Sequence, residues 1–239
     1  MTDLPLEELA RRRARILETI ATAAAKGGRR PDDVTLMAVT KGHGVATVRN
    51  AARAGLTRFG ENRVQEGSAK IAALGGEFPS LTWRLIGPLQ TNKAKSALQW
   101  FSAVESLDRE RLAVRLETLL AEQEPGRRLP VLLEINLGGE ASKSGAAPEE
   151  APRLLEAVLA CPHLEPRGVM AVPPFDENPE KSRWHFRRLV EIREGLSRRF
   201  GVPLPEISMG MSHDYAVAVE EGSTEVRVGT SLFGPREAA

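Results

Sequence analysis

The sequence contains one cysteine, Cys161, among 239 residues, so no disulfide bond can form within the chain. A lone thiol is typical of a protein from a reducing compartment, and we predict a cytoplasmic location. The four histidines show neither an HExxH pattern nor the paired cysteines of a zinc site, so the sequence predicts no metal centre.

The sequence also lacks an excess of either charge and lacks long apolar runs. Its 33 basic and 32 acidic residues give a formal net charge of +1, which provides no overall field for nucleic acid or an anionic membrane. No apolar run approaches the roughly 20 residues of a membrane helix. The N-terminal segment carries Asp3, Glu7 and Glu8 and does not resemble a signal peptide. We therefore expect neither a nucleic-acid nor a membrane partner.

An amphipathic helix is predicted over residues 5–26, and eight short apolar runs then alternate with helical stretches. The predicted strands are 35–41, 58–62, 83–87, 101–105, 130–137, 168–172, 206–211 and 226–229. Eight strand–helix units indicate an α/β protein, a (β/α)8 TIM barrel with an extra N-terminal helix. A doubly wound open sheet is the alternative. No linker or low-complexity segment divides the chain, so residues 1–239 are predicted to form a single domain.

Lys41 closes the first predicted strand and is followed by a turn that Gly42 and Gly44 bracket. A lysine at the end of a buried strand is costly to bury unless it is bonded. Burial lowers the pKa of an amine, and such lysines form Schiff bases with carbonyl compounds. The alternative is a lysine that extends from the end of the strand into solvent.

Two later loops are predicted at the same end of the barrel as Lys41. Ser212 follows the seventh strand, and Gly229 and Thr230 follow the eighth. Barrels commonly bind phosphate at these two loops, where small residues and hydroxyls let backbone amides approach the anion. Ordinary turn and helix-capping chemistry would use the same residue types. With Lys41, the loops indicate a phosphate-bearing carbonyl ligand, and pyridoxal phosphate (PLP) meets that description.

Arg227 lies on the eighth predicted strand, just before the phosphate loop. A guanidinium does not give up its proton, so opposite a pyridine nitrogen it can only donate a hydrogen bond. The ring would then stay unprotonated and would be a weak electron sink. An ion pair with Glu61 or Glu134 inside the barrel is the alternative.

Seven segments across nearly the whole chain resemble, in order, those of the pyridoxal phosphate homeostasis proteins (YggS/PROSC type). The barrel of this family is similar to the N-terminal domain of bacterial alanine racemase. The segments are AVTK (38–41), FGENRVQE (59–66), IGPLQTNK (86–93), SKSG (142–145), GVMA (168–171), SMGMS (208–212) and GSTEVRVG (222–229).

The resemblance implies roles for particular residues. Lys41 matches the lysine that forms the internal aldimine with PLP, and Arg227 matches the arginine that faces the pyridine nitrogen. Asn62 and Met209 match residues beside the cofactor ring. The phosphate cradle is matched by Ser212, Gly229 and Thr230. Glu61 and Gln90 would lie near the mouth of the site, or would serve in ordinary hydrogen bonds.

Some positions depart from the family pattern. Arg63 stands where many members have an aromatic residue and Arg84 where many have a histidine, which would change ring contacts and the charge at the mouth. His43 replaces a second lysine, and the C-terminus lacks a basic tail. Lys143 remains a candidate for helping PLP release, although a solvated loop lysine is the alternative.

The resemblance implies a monomeric, non-catalytic PLP carrier that supports vitamin B6 homeostasis and amino-acid pools and passes PLP to apo-enzyme clients. The alternative is a PLP-dependent amino-acid racemase, which needs a second proton-transfer group opposite the lysine. Alanine racemase takes that group, a tyrosine, from a second domain of its partner subunit. Here the one tyrosine, Tyr215, is predicted on the helix after strand seven. A third possibility is a phosphosugar aldolase that uses Lys41 with Glu61 or Glu134.

Overall fold

Eight parallel strands close into a barrel in chain order, and β1 pairs with both β2 and β8. The computed structural model describes residues 4–140 and 144–235. The strands are β1 Thr35–Val39, β2 Arg58–Glu61, β3 Thr82–Leu85, β4 Ala103–Leu107, β5 Leu129–Glu134, β6 Leu164–Met170, β7 Glu206–Met211 and β8 Glu225–Val228. Closure confirms the predicted TIM barrel and excludes the open sheet.

Helices follow the strands around the outside of the barrel. In the described residues they are α1 Leu6–Lys26, α2 Val45–Arg53, α3 Val64–Leu74, α4 Ala94–Trp100, α5 Glu110–Gln123, α6 Ala151–Leu159, α7 Arg183–Phe200, α8 Tyr215–Glu220 and α9 Thr230–Phe233. The extra helix α1 packs on α2, α8 and α9, outside the junction of β1 and β8. Within residues 4–140 and 144–235, none of these helices has the length and apolar character to cross a membrane.

The main hydrophobic core lies between the sheet and the helices. Strands of a parallel barrel have helices on one side and the barrel interior on the other, so their side chains are buried in both directions. Helices α1 and α5 bury apolar residues at helical spacing in this layer, with Leu9, Ile16, Leu112 and Leu116 each no more than 3% exposed.

Several boundaries differ from the prediction. Strand β1 ends at Val39, so Lys41 lies in the following turn instead of on the strand. Strand β6 begins four residues earlier than predicted, because Glu165, Pro166 and Arg167 are half-exposed and break the apolar pattern. The short helix α9 was not predicted at all.

The barrel interior near the N-terminal ends of the strands is charged. Arg84 on β3 lies 2.6 Å from Glu206, 3.1 Å from Glu105 and 3.8 Å from Glu225, and Arg58 lies 2.6 Å from Glu225. The expectation that Arg84 changes the charge at the mouth is wrong, because its side chain is enclosed among these carboxylates at the opposite end. Arg63 is exposed at the start of α3 and is not among the residues that line the cavity described next.

Candidate functional site

A cavity of about 360 Å³ opens at the C-terminal ends of the strands. Its walls come from the ends of β1, β2, β3, β6, β7 and β8. The lining residues are Val39, Lys41, His43, Asn62, Ile86, Val172, Met211, Ser212, His213, Arg227, Gly229, Thr230 and Gly234. Six of the seven predicted site residues are in this set, and Met209 is the exception. TIM-barrel proteins place their functional sites at the C-terminal ends of the strands.

Met209 lies in the hydrophobic core and Met211 lines the cavity in its place. The pairing of β7 with β8 shifts register between Ser208 and Met211, and Gly210 within this irregularity has a φ of +89°. The shift breaks the strict alternation of the strand, so two methionines that are two residues apart do not share a face. A simple strand pattern in the sequence could not reveal this.

Ser212 joins the loops that follow β7 and β8. Its hydroxyl oxygen accepts hydrogen bonds from the backbone N–H of Gly229 (3.2 Å) and of Ser231 (3.1 Å), and its carbonyl accepts one from the Ser231 hydroxyl (3.1 Å). A hydroxyl has two acceptor lone pairs and one donor proton. With both lone pairs occupied, Ser212 can offer its O–H to a ligand oxygen in the cavity.

Arg227 is fully enclosed and oriented by neutral partners. Its guanidinium donates to the Ser208 hydroxyl and to the Ala171 carbonyl, both at 2.7 Å. Burial lowers the pKa of Arg227, although nearby carboxylates act to raise it. The alternative of an ion pair with Glu61 or Glu134 is wrong. Glu61 bonds Thr40 and Lys70 instead, and Glu134 accepts from Ser144.

Asn62, directly after β2, presents an unsatisfied group to the site. Its side-chain carbonyl oxygen is buried and finds no hydrogen-bond partner in the described part of the chain. Buried polar atoms are normally bonded, so this atom is suited to a ligand donor. Gly87 allows the close approach of the next loop, because any side chain there would collide with the Asn62 backbone.

Other singled-out residues lie away from the cavity. Glu61 is fully buried, and Gln90 is exposed in a separate groove with Arg109. Tyr215 begins α8 and does not line the cavity. Lys143 lies outside the described residues.

Sequence reasoning did not assign a role at the cavity to six of the residues that line it: Val39, Ile86, Val172, Met211, His213 and Gly234. All but Gly234 lie at or just after the end of a strand, and that position was the one available indication. His43 also lines the cavity, with its ring 4.8 Å from that of Phe233.

Glu105 gives the barrel a pH-dependent stability. Burial, together with the charge of Glu225 and a hydrogen bond to it, raises the pKa of Glu105 from 4.5 to about 8. Between these two values the native state holds a proton that the unfolded chain releases. The free energy of unfolding therefore falls as pH rises through this window, by up to about 1.4 kcal/mol per pH unit.

We expect the Glu105→Gln variant to lack this dependence. Its stability relative to wild type should increase as pH rises from 5 to 8 and should then level off. Urea unfolding at unit pH intervals measures the difference, and parallel profiles for the two proteins would contradict a protonated Glu105.

Comparisons with known proteins agree with this geometry. The family model for the alanine racemase N-terminal domain matches residues 14–237. A pyridoxal phosphate homeostasis protein of Aquifex aeolicus is 42% identical over 226 residues, which cover 95% of this chain and 97% of the relative. PipY of Synechococcus elongatus, solved with PLP bound, matches with a TM-score of 0.82 and 35% identity over 95% of this chain and 100% of its own.

A more distant likeness shows the fold alone. Alanine racemase from Corynebacterium glutamicum has a TM-score of 0.73 at 16% identity, and the match covers 98% of this chain and 62% of the racemase. On these matches, the chain belongs to the family of the pyridoxal phosphate homeostasis proteins, with the barrel of the alanine racemase N-terminal domain.

Proposed function

We propose that the chain, as a single domain over residues 1–239, binds PLP reversibly on Lys41 and acts in vitamin B6 homeostasis without catalytic turnover. One observation carries the proposal: Lys41, Arg227 and the Ser212–Gly229–Thr230 loops line the same cavity. The PLP-bound structure of the relative PipY supports the choice of ligand.

The residues present fit this cofactor. A cavity of about 360 Å³ is in the range of small-molecule sites. The O–H of Ser212, with the amide and hydroxyl of Thr230, would bind the phosphate. Asn62, whose buried carbonyl oxygen lacks a partner among residues 4–140 and 144–235, would bind a donor on the ring. Arg227 would face the ring nitrogen, held in place by Ser208 and Ala171.

Lys41 would hold the cofactor through a covalent bond that water can reverse. The aldehyde of PLP would supply a carbon to which the Lys41 amine would bond with loss of the carbonyl oxygen as water, and hydrolysis would restore both groups, so PLP would be released intact. Because a guanidinium keeps its proton, Arg227 would leave the ring nitrogen unprotonated, and the site would be poor at stabilising a substrate carbanion.

A racemase is the second candidate, and the geometry favours it less. Two-base racemisation needs a proton-transfer group on the side opposite the lysine. Tyr215 is the one tyrosine in the sequence, and it does not line the cavity. His43 and His213 do line it, so an activity assay has to accompany any binding measurement.

The decisive experiment is the absorbance spectrum of the purified protein with PLP, before and after borohydride. We expect a visible Schiff-base band that reduction removes, with the pyridoxyl group on the peptide containing Lys41. The same sample should not racemise alanine. Absence of the band at saturating PLP would contradict the proposal, and turnover would favour the racemase.

We further propose that the protein is a cytoplasmic monomer that passes PLP to apo-enzymes and thereby influences amino-acid pools. The lone buried Cys161 is compatible with a reducing compartment. Light scattering after size exclusion tests the monomer, and reactivation of an apo-enzyme by the loaded protein tests transfer.

Ser212→Ala should weaken PLP binding by about tenfold or more, because a hydrogen bond to a charged group contributes about 1.5–3 kcal/mol. Binding of pyridoxal, which has no phosphate, should be almost unchanged. Titrations of both compounds measure this, with Ser68→Ala as the control, because Ser68 is a half-buried serine on α3 that does not line the cavity. An equal loss for both compounds would indicate a general disturbance of the loops.

A further inference from the structure

Lys70 is a buried lysine outside the cavity, on the inner side of α3, with 5% of its side chain exposed. Its ammonium donates to the Thr40 carbonyl at 2.6 Å, to Glu61 at 2.6 Å and to Glu66 at 2.7 Å. An ammonium has three N–H donors, and these three acceptors match them. Nothing in the proposed chemistry of the cavity uses this residue.

The contacts of Lys70 converge on the turn that carries Lys41. The carbonyl of Thr40 belongs to the peptide that precedes Lys41, and Lys70 holds it directly. The N–H of Gly42 belongs to the peptide that follows Lys41, and it donates to Glu66 at 2.5 Å. Glu66 is itself held by Lys70. One ammonium therefore restrains the backbone on both sides of Lys41.

The backbone of the turn also bonds within itself, because the His43 N–H donates to the Thr40 carbonyl at 3.0 Å, the same carbonyl that Lys70 holds. Strand β1 ends at Val39, and the Thr40 N–H still bonds Gly60 on β2, but the ladder does not continue to Lys41. Gly42 has a φ of +76°, a conformation that only glycine adopts readily. A side chain on a turn keeps its direction only if the surrounding contacts hold the backbone.

The two carboxylates beside Lys70 differ: at Glu61, burial raises the pKa although Lys70 and the Thr40 hydroxyl act to lower it. Burial acts to raise the pKa of Glu66, but the hydrogen bonds from Lys70 and from the Gly42 amide outweigh it and lower the pKa. Glu61 also accepts from the Thr40 hydroxyl, which ties a third group of the same turn to the cluster.

We propose that Lys70 is a positioning residue: it holds the turn so that the Lys41 amine faces the aldehyde, and it thereby sets how firmly PLP is retained. This inference rests on the proposed function. The alternative is that Lys70 only neutralises Glu61 and stabilises the fold. The two can be separated, because a positioning role concerns the covalent part of binding alone.

A pair of ligands isolates that covalent part. Pyridoxine 5′-phosphate has the ring and phosphate of PLP but an alcohol in place of the aldehyde, so it cannot bond covalently to Lys41. The ratio of its dissociation constant to that of PLP measures how much the covalent bond to Lys41 strengthens PLP binding. Damage to the fold or to the phosphate site weakens both ligands and leaves the ratio unchanged.

The test compares this ratio in wild type, Lys70→Met and Lys70→Arg. We expect Lys70→Met to reduce the ratio by about tenfold or more, since a small misplacement of a reacting group has effects of this size. Lys70→Arg keeps the charge and should fold even if Lys70→Met does not. Its rigid planar fork does not reproduce the three contacts, so the ratio should fall there too.

Arg127→Met is the matched control. Arg127 is also a partly buried cation that donates to backbone carbonyls, those of Leu98 and Phe101, but it lies away from β1. Its loss should lower stability and leave the ratio at the wild-type value.

Two outcomes would overturn the inference on Lys70. A wild-type ratio in the folded Lys70 variants would assign Lys70 to stability alone and would leave the proposed function standing. If wild type itself bound both ligands equally, the proposed function would fail and the inference with it.

Discussion

Lys41→Ala is expected to abolish the visible absorbance band of the PLP-loaded protein and to weaken PLP binding by about a hundredfold, or about 2.7 kcal/mol. The phosphate loops and Arg227 remain in the variant, so the non-covalent part of binding should persist. Absorbance during a PLP titration measures the covalent part of binding, and calorimetry measures the total affinity. Borohydride should then leave no pyridoxyl group on the chain.

The control for this variant is Lys26→Ala. Lys26 is an exposed lysine at the end of α1, paired with Glu220 and far from the cavity. We expect it to bind PLP as wild type does. If Lys41→Ala kept the band, another lysine would have to carry the cofactor, and peptide mapping of the reduced protein would identify it.

Arg84→Met is expected to lower the free energy of unfolding by about 3–5 kcal/mol, the usual effect of removing one member of a buried ion pair. Burial acts to lower the pKa of Arg84, but Glu225, Glu105 and Glu206 more than offset it and raise the pKa. Without Arg84, Glu206 and Glu225 would lose a buried counter-ion beside Glu105, which holds its proton at pH 7. Urea unfolding at pH 7 measures the effect.

Arg183→Met makes a matched comparison. Arg183 also contacts three carboxylates, those of Glu180, Glu220 and Glu221, but 23% of its side chain is exposed, against 9% for Arg84. Because water screens partly exposed pairs more than buried ones, its loss should cost clearly less than the loss of Arg84. Equal effects for the two arginines would mean that the interior of the barrel is more hydrated than its burial indicates.

The sequence was most informative where local pattern and chemistry agree. Alternating apolar runs and amphipathic helices predicted the barrel, since each element must bury one face and the connections are short. Lys41 and Ser212 were found because chemistry in barrels concentrates directly after the strands. Residues at those positions can be read from the order of elements alone.

The sequence was least informative where the position of a side chain depends on its neighbours in space. Met209 and Met211 look equivalent in the chain, and only the register shift at Gly210 brings Met211 to the cavity. Arg84 was expected at the mouth but lies among carboxylates from β4, β7 and β8. Strand β4 is the next strand in the chain and pairs with β3, but β7 and β8 come within reach of Arg84 only when the barrel closes.

By itself, the sequence determined the fold and the family, because these follow from periodicity, residue type and the order of motifs. The tertiary structure alone decided which residues act together. Lys70 shows the reason: it is 29 residues from Lys41 in the chain, yet β1 and β2 pair side by side and bring α3 against the turn. Contacts of that kind arise only once the strands have paired.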